Sequence, residues 1–332
     1  MEVTMEKVTI IMNARDRFSP TTKCLETLLA NTPEPFDLLI VMGGAPEHLK
    51  SEWSRKFGHR GRLIFKPEFL SDAQARNMGL KEATTRLAVV MGNDVFVRPG
   101  WMTALVKCQK ETGAVMVVPL ILERERRIHT AGNDLYITYE KGKAFGHKYS
   151  RFYGKVYADG ANLKRQPVDY GELHCRLIQV EPTLRLAAYD ENIQEVGEVD
   201  SGLTWSKAGY TMWAEPNSVV LFDYYGKVAP DDIKFFIWRW DMRGVLKGYR
   251  YFEKKWGVDI TEHGIFGRYL LTDINAKVGL LPRLFPSAWA LALDRRIGGI
   301  RGLFQDIWRM PKELFRRIKA RWMGYDEWLA SS

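Results

Sequence analysis

The chain has 332 residues, of which 46% are hydrophobic and 27% charged, and it carries a formal net charge of +9. That length and apolar content can fill one large core or two modest ones, so disorder is not the default reading. The positive surplus favours acidic partners such as nucleotide phosphates, anionic lipid or nucleic acid, and the three cysteines Cys24, Cys108 and Cys175, with no CxxC pair, give no support to a disulfide framework or a cysteine-ligated zinc.

Met1 to Lys7 is charged and leads into a short apolar run, Val8 to Met12, which is too short for a signal-peptide core and reads as a buried strand. Ser19-Pro20 then supplies a helix cap and first-turn proline ahead of Leu25, Leu28 and Leu29 on one helical face. Leu38 to Met42 repeats the strand signal and Arg62 to Lys66 gives a shorter one. Ser71 with Gln74 forms a capping box before a helix through Ala83, and Leu87 to Met91 is the next strand. A helix from Pro99 to Thr112 and a strand from Ala114 to Leu122 follow. Strands alternating with helices predict an α/β fold with a mostly parallel sheet covered on both faces.

From Glu123 to about Leu186 the pattern turns polar and rich in Gly and Tyr, which predicts an irregular segment with short strands near Leu135 to Tyr139 and Leu173 to Val180. Ser201 to Ala208 reads as a helix stopped by Gly209, and Ser218 to Phe222 as a strand. Beyond Asp231 the chain is helical in period and rich in Trp, Phe, Arg and Lys, so a boundary falls near Gly226 to Pro230 and divides the chain into residues 1–228 and 229–332. Val278 to Leu293 is the longest apolar stretch, and Pro282, Arg283 and Pro286 within it argue against a spanning helix. A reducing, cytoplasmic location fits these features.

The apolar strand ending at Met91 runs into Gly92-Asn93-Asp94, which sets one carboxylate at the carboxyl edge of the sheet, where open α/β sheets bind ligands. Asp94 there is suited to a divalent metal and, through it, a diphosphate; the competing reading is a turn cap before Pro99. Asn13, Arg15, Asp16 and Arg17 follow the first strand, and Arg76 has the planar fork that pairs with phosphate or stacks on a base, although each arginine reads equally as a solvated charge. Asp72 reads equally as a first-turn helix residue. An acidic run, Asp190, Glu191, Glu195, Glu198 and Asp200, offers a general base or simply a solvated face.

Two passages together carry a resemblance. Ala75-Arg76-Asn77-Met78-Gly79-Leu80, the strand into Asp94 and then Pro99-Gly100-Trp101 form the first; Tyr189-Asp190-Glu191, Glu198-Val199-Asp200 and Lys207-Ala208-Gly209-Tyr210 form the second. Ile128-His129-Thr130-Ala131-Gly132 and Phe252 to Gly257, with Lys255-Trp256-Gly257, add weaker matches. In this order they resemble the family 2 glycosyltransferases, inverting enzymes with the GT-A fold, and in particular bacterial members whose acidic motif reads NND.

The resemblance implies transfer of a sugar from a nucleotide diphosphate to an acceptor hydroxyl, carbohydrate or lipid-linked, in cell-surface polysaccharide or glycolipid assembly. It implies Mn2+ or Mg2+ on Asp94, donor contacts from Asn13, Arg15, Asp16, Arg76, Asn93 and Asp94, and Glu198 as the catalytic base with Asp200 as its rival. The chain departs from the family at Gly92, where a first acid is usual, and at Met42-Gly43-Gly44, where a strand-ending Asp is usual. Phe222-Asp223-Tyr224 stands where many relatives have a metal-binding His, and Asp223 is a substitute oxygen donor there. His129 and His174 read as structural histidines. These departures leave a second expectation open, a GT-A-like scaffold without catalysis that serves as a binding or membrane-adaptor protein. A nucleotidyltransferase would place glycines after the first strand, and Met12 to Arg17 has none.

Near the carboxyl end, Ile300, Leu303, Phe304, Ile307 and Trp308, then Leu314, Phe315, Ile318 and Trp322, recur at helical spacing among arginines and lysines. Each set reads as an amphipathic basic helix, either packed on the body or lying on an anionic membrane surface, peripheral at its inner face. Nucleic acid is not an expected partner, because no recognition motif accompanies the charge.

Overall fold

The computed structural model describes residues 6–123, 126–157, 163–223 and 228–260. Its amino-terminal half alternates strands and helices: β1 Val8–Asn13, α1 Thr21–Asn31, β2 Phe36–Gly43, α2 Glu47–Phe57, β3 Arg62–Lys66, α3 Asp72–Glu82, β4 Leu87–Gly92, β5 Val95–Val97, α4 Trp101–Thr112 and β6 Met116–Glu123. Then come β7 Arg127–Thr130, β8 Asn133–Glu140, β9 Lys143–Ser150, β10 Gln166–Pro167, β11 Cys175–Gln179, α5 Val180–Arg185, α6 Gly197–Lys207 and β12 Met212–Phe222. A 3-10 turn at Pro230–Asp232 leads to α7 Ile233–Arg239, α8 Met242–Trp256 and β13 Val258–Asp259.

The main sheet has the order β10-β12-β6-β11-β4-β1-β2-β3, with β5 on β12 and β7 on β6. Pairing is parallel through β4-β1-β2-β3 and between β6 and β12, while β11 enters antiparallel between β4 and β6. The architecture is the expected α/β sheet with helices on both faces. Side chains alternate across it: Leu87, Val89 and Met91 of β4 join the cluster with Leu25, Leu28, Trp53 and Trp101, and Ala88 and Val90 join Ile11, Leu80 and Trp205 on the other face. Gly79 lets α3 lie directly on β1, since a Cβ there would come within 2.3 Å of Ile11 Cγ2.

Local reading and structure part company at three places. Helix α2 is unanticipated, because its polar sequence buries only Trp53 and Phe57. In the segment expected to be irregular, the short strands expected near Leu135 to Tyr139 and Leu173 to Val180 form as β8 and β11, but β8 turns into an unanticipated partner, β9, pairing over eight residues each, with β13 added to its edge. Ser19 does not cap α1: Pro20 occupies the cap position with no side-chain bond, and the Ser19 hydroxyl donates instead to Asp232 Oδ2 at 2.7 Å. The Ser71–Gln74 capping box of α3 forms as expected.

Helix α7 packs on the body through aromatic contacts, Phe235 stacking on Phe18 at 4.8 Å and touching Phe69 at 5.4 Å. The amphipathic segments from residue 298 onward lie outside the described residues. Among the described residues no helix is long and apolar enough to cross a membrane.

Asp232 is wholly buried and accepts from Phe18 N (2.6 Å), Ser19 N (3.0 Å), Ser19 Oγ and Ala229 N (2.8 Å), which compensate its charge. Asp232→Ala strands those donors and should cost about 2–4 kcal/mol. Urea unfolding checks this, with a lower midpoint at unchanged slope as the expected result.

Candidate functional site

The site lies at the carboxyl edge of β1 and β4. The loop after β1 is fastened to the turn after β4 by Asn93, whose Nδ2 donates to Arg17 O (2.6 Å) and Thr21 Oγ1 (2.8 Å) and whose Oδ1 accepts from Arg15 N (3.2 Å). Asn93 is fully buried, so it holds the loop from within. Asn13, also buried, donates to Asp72 Oδ1 at 2.8 Å and accepts from Arg76 Nε at 3.4 Å, which places Asp72 in the network that Arg76 belongs to.

Asp94 sits behind that loop, 2% exposed, with Arg15 Nε at 3.8 Å from Oδ2 and the amide of Asp223 donating to its carbonyl at 2.9 Å. The absence of a side chain at Gly92 makes room for this carboxylate, because a Cβ there would lie 2.7 Å from Asp94 Oδ1. Arg15 reaches Asp16 at 3.6 Å and His174 Nδ1 at 2.7 Å, and lies 4.9 Å over the Phe222 ring. Burial works against the Arg15 charge, but Asp16, Asp94 and Asp72 outweigh it and raise its pKa above the ordinary value. Arg17 joins the same edge by donating to Asp223 O (2.8 Å) and Oδ2 (3.2 Å). Neither Arg15 nor Arg17 is therefore a solvated surface charge.

Arg76 has no exposed surface; its Nη2 donates to Leu173 O at 2.6 Å and its guanidinium lies 5.6 Å from the Tyr189 ring. Its neighbour Asn77 donates to Tyr189 O and Glu191 Oε1, both at 2.9 Å. The Arg76-Asn77 pair thus ties α3 to the segment that opens the acidic run.

Glu198 and Asp200 enter on the first turn of α6, behind Val196, which is buried with φ of +58°. A β-branched residue in that region is strained, and the turn it forces aims the acids. Glu198 is 8% exposed, with Lys148 Nζ from β9 3.4 Å from Oε1. Asp200 is held on both oxygens: Lys255 Nζ at 2.8 Å from Oδ1 and 3.0 Å from Oδ2, and Trp256 Nε1 donating to Oδ1 at 2.7 Å. Lys255 also reaches Asp190 at 3.0 Å. Burial raises the Glu195 pKa, although Arg239 lies 2.6 Å away and opposes the shift.

Sequence reasoning set His129 and His174 aside as structural histidines and did not name Glu172, yet the three form one cluster. His129, Glu172 and His174 bring ligand atoms within 4.8 Å of one another, and His174 is the imidazole that Arg15 touches. The Ile128 to Gly132 motif was the available signal, but the two histidines are far apart in sequence and gave no ligand spacing. A run of bonds then leads from this cluster to α6: Arg176 Nε donates to Glu172 O (3.1 Å), its Nη1 to Ser201 Oγ (2.8 Å), and that hydroxyl to Glu198 O (3.0 Å). Loss of the Trp256 bond to Asp200, in Trp256→Phe, should cost about 1.5–3 kcal/mol of folding stability. In an Asp200→Asn background the same change should cost measurably less, which a double-mutant cycle in urea tests.

Residues 9–164 match the family model described as glycosyl transferase family 2. Among solved structures, the chain is similar to the crystal structure of GalNAc-T7 with UDP, GalNAc and Mn2+, at 14% identity and a TM-score of 0.51, over 70% of this chain and 48% of that one. The chain therefore spans about half the length of that relative, and the likeness is one of fold. No curated protein sequence matches.

Proposed function

We propose that this chain, a member of glycosyltransferase family 2 with the GT-A fold, transfers a sugar from a nucleotide diphosphate donor to an acceptor hydroxyl with inversion at the anomeric carbon. One observation carries the reading: Arg15 links Asp94 to His174, and Arg176 links the carbonyl of Glu172, two residues before His174, through Ser201 to Glu198, so two carboxylates distant in sequence share one stretch of the sheet edge.

In this reading the diphosphate lies at the Asp94 edge, where the Arg15 guanidinium adds positive charge to a pocket whose acids would otherwise repel it. Asn93 and Asp232 keep the loop carrying Arg15 in place. Glu198 accepts the acceptor's proton as its oxygen bonds to the anomeric carbon, while the bond from that carbon to the diphosphate oxygen breaks and the diphosphate leaves with the electron pair. Lys148 holds the Glu198 carboxylate in position, and Asp200, engaged by Lys255 and Trp256, is left to fix α6. Glu198 is therefore the better base of the two.

The buried Asp94 carboxylate, an oxygen donor at this edge, has the chemistry a hard divalent cation takes. Asp94 would hold Mn2+ or Mg2+ here. A bound cation neutralises the charge that grows on the leaving diphosphate. A carbohydrate or lipid-linked acceptor, in cell-surface polysaccharide or glycolipid assembly, is part of the proposal. So is contact of the basic tail, residues 298–332, with an anionic membrane surface at the cytoplasmic face.

Glu198→Gln should lower kcat by about 10²–10⁴-fold with KM for donor and the melting temperature little changed. Asp94→Ala should instead weaken nucleoside diphosphate binding in calorimetry. Donor hydrolysis and transfer assays over UDP-, GDP- and dTDP-sugars provide the test, and full activity in either variant rejects that residue's role.

A further inference from the structure

Three side chains with no part in the proton transfer converge beside Arg15. His129 comes from β7, and Glu172 and His174 from the loop that leads into β11, with ligand atoms within 4.8 Å of one another. We propose that His129, Glu172 and His174 form a divalent-cation site of mixed nitrogen and oxygen donors, selective for transition ions such as Mn2+, Co2+ or Zn2+ over Mg2+ and Ca2+.

Donor chemistry sets the selectivity. Two imidazoles and a carboxylate suit borderline ions, whereas Mg2+ and Ca2+ prefer oxygen throughout and Mg2+ sheds water reluctantly. Metal bonds to such ligands are about 2.0–2.2 Å, so donors around one ion lie within roughly 4.4 Å of each other, close to the spread here.

The backbone aims these side chains. In the β6–β7 ladder Leu122 pairs with Ile128 and Ile121 with Thr130, so His129 is the extra residue of a bulge, a device that redirects a side chain at a sheet rim. The buried Glu123 places Oε2 at 3.3 Å from His129 Nδ1, which presents Nε2 as the coordinating atom. A carboxylate behind a metal-ligating imidazole is the usual way its tautomer is set. The other two ligands sit on a braced loop: Arg176 bonds the Glu172 carbonyl and the amide of Gly92 bonds the His174 carbonyl at 2.9 Å.

The surroundings favour a bound ion. Phe222 lies against both imidazoles, 5.3 Å from His129 and 3.9 Å from His174, and walls the cluster with an apolar ring. His129 and Glu172 are only half-buried, so solvent and ligand can reach the site. Arg15 Nη1 reaches both ring nitrogens of His174, at 2.7 Å from Nδ1 and 3.2 Å from Nε2, so an ion that takes His174 as a ligand displaces this guanidinium and presses it toward Asp94 and whatever anion binds there. The site itself rests on the geometry; its service in sugar transfer rests on the reading of the previous subsection.

The full chain, stripped with chelator, is titrated with Co2+ while visible d–d absorption is followed, and with Mn2+, Zn2+ and Mg2+ in calorimetry. We expect a visible Co2+ spectrum and affinities for Co2+ and Zn2+ at least about tenfold above that for Mg2+. His129→Gln and Glu172→Gln should each weaken Co2+ binding by about tenfold or more, and Glu123→Gln should do so while leaving all three ligands in place. Melting curves of the stripped variants matching the stripped parent show that the change is in the site and not in the fold. No visible spectrum, equal affinity for Mg2+, or binding indifferent to both ligand substitutions overturns the proposal. Glu198→Gln separates the two readings, since it should lower kcat for transfer by about 10²–10⁴-fold and leave the Co2+ titration intact. Co2+ binding as described in a chain that transfers no sugar keeps the site and removes the transferase reading.

Discussion

The edge of the sheet is usable because the loop after β1 is pinned from both sides by buried polar bonds. Asn93 holds it against the turn after β4, and Asp232 holds its far end through two amides and a hydroxyl. Each pin is buried, so each group must keep its partners or bear the cost of an unsatisfied polar atom. Such a network leaves the loop few alternative conformations, and it fixes where Arg15 and Asp94 stand.

Charge is distributed along this edge with similar economy. Arg15 sits among Asp16, Asp94 and Asp72, which hold its proton, and it shares His174 with the neighbouring cluster. Before and at the start of α6, acids of the run Asp190 to Asp200 are met by Lys148, Lys255 and Arg239. Basic side chains from β9, α7 and α8 thereby assemble an acidic turn that would otherwise repel itself. The same pairing separates two carboxylates of one helix turn: Asp200 is bound on both oxygens, and Glu198 meets Lys148 through Oε1.

The short motifs turn out to encode contacts between elements. In Ala75 to Gly79, Asn77 grips the Tyr189 to Glu191 segment and Gly79 lets α3 touch β1, while Arg76 underlies the site. In Lys255-Trp256-Gly257 the first two residues clamp Asp200. The departure at Gly92 has a steric reading, because Asp94 fills the space a side chain there would take.

Short apolar runs by themselves determined the strands β1 to β4 and the carboxylate at the end of β4, their alternation with helices gave the two covered faces of the sheet, and composition with capping residues located α3 and α6. These are local properties: a strand or helix buries what its own period presents, whatever lies across from it. Helix α2 escaped because two buried aromatics make too weak a period, and the β8–β9 hairpin because its strands are largely exposed and owe their pairing to each other and to β13. Only the tertiary structure decided that Asp200 is clamped, that Arg76 is buried, and that His129, Glu172 and His174 meet. That meeting depends on β11 entering between β4 and β6 and on β7 bulging along the edge of β6, and a strand order is set by long-range packing that no window of sequence contains.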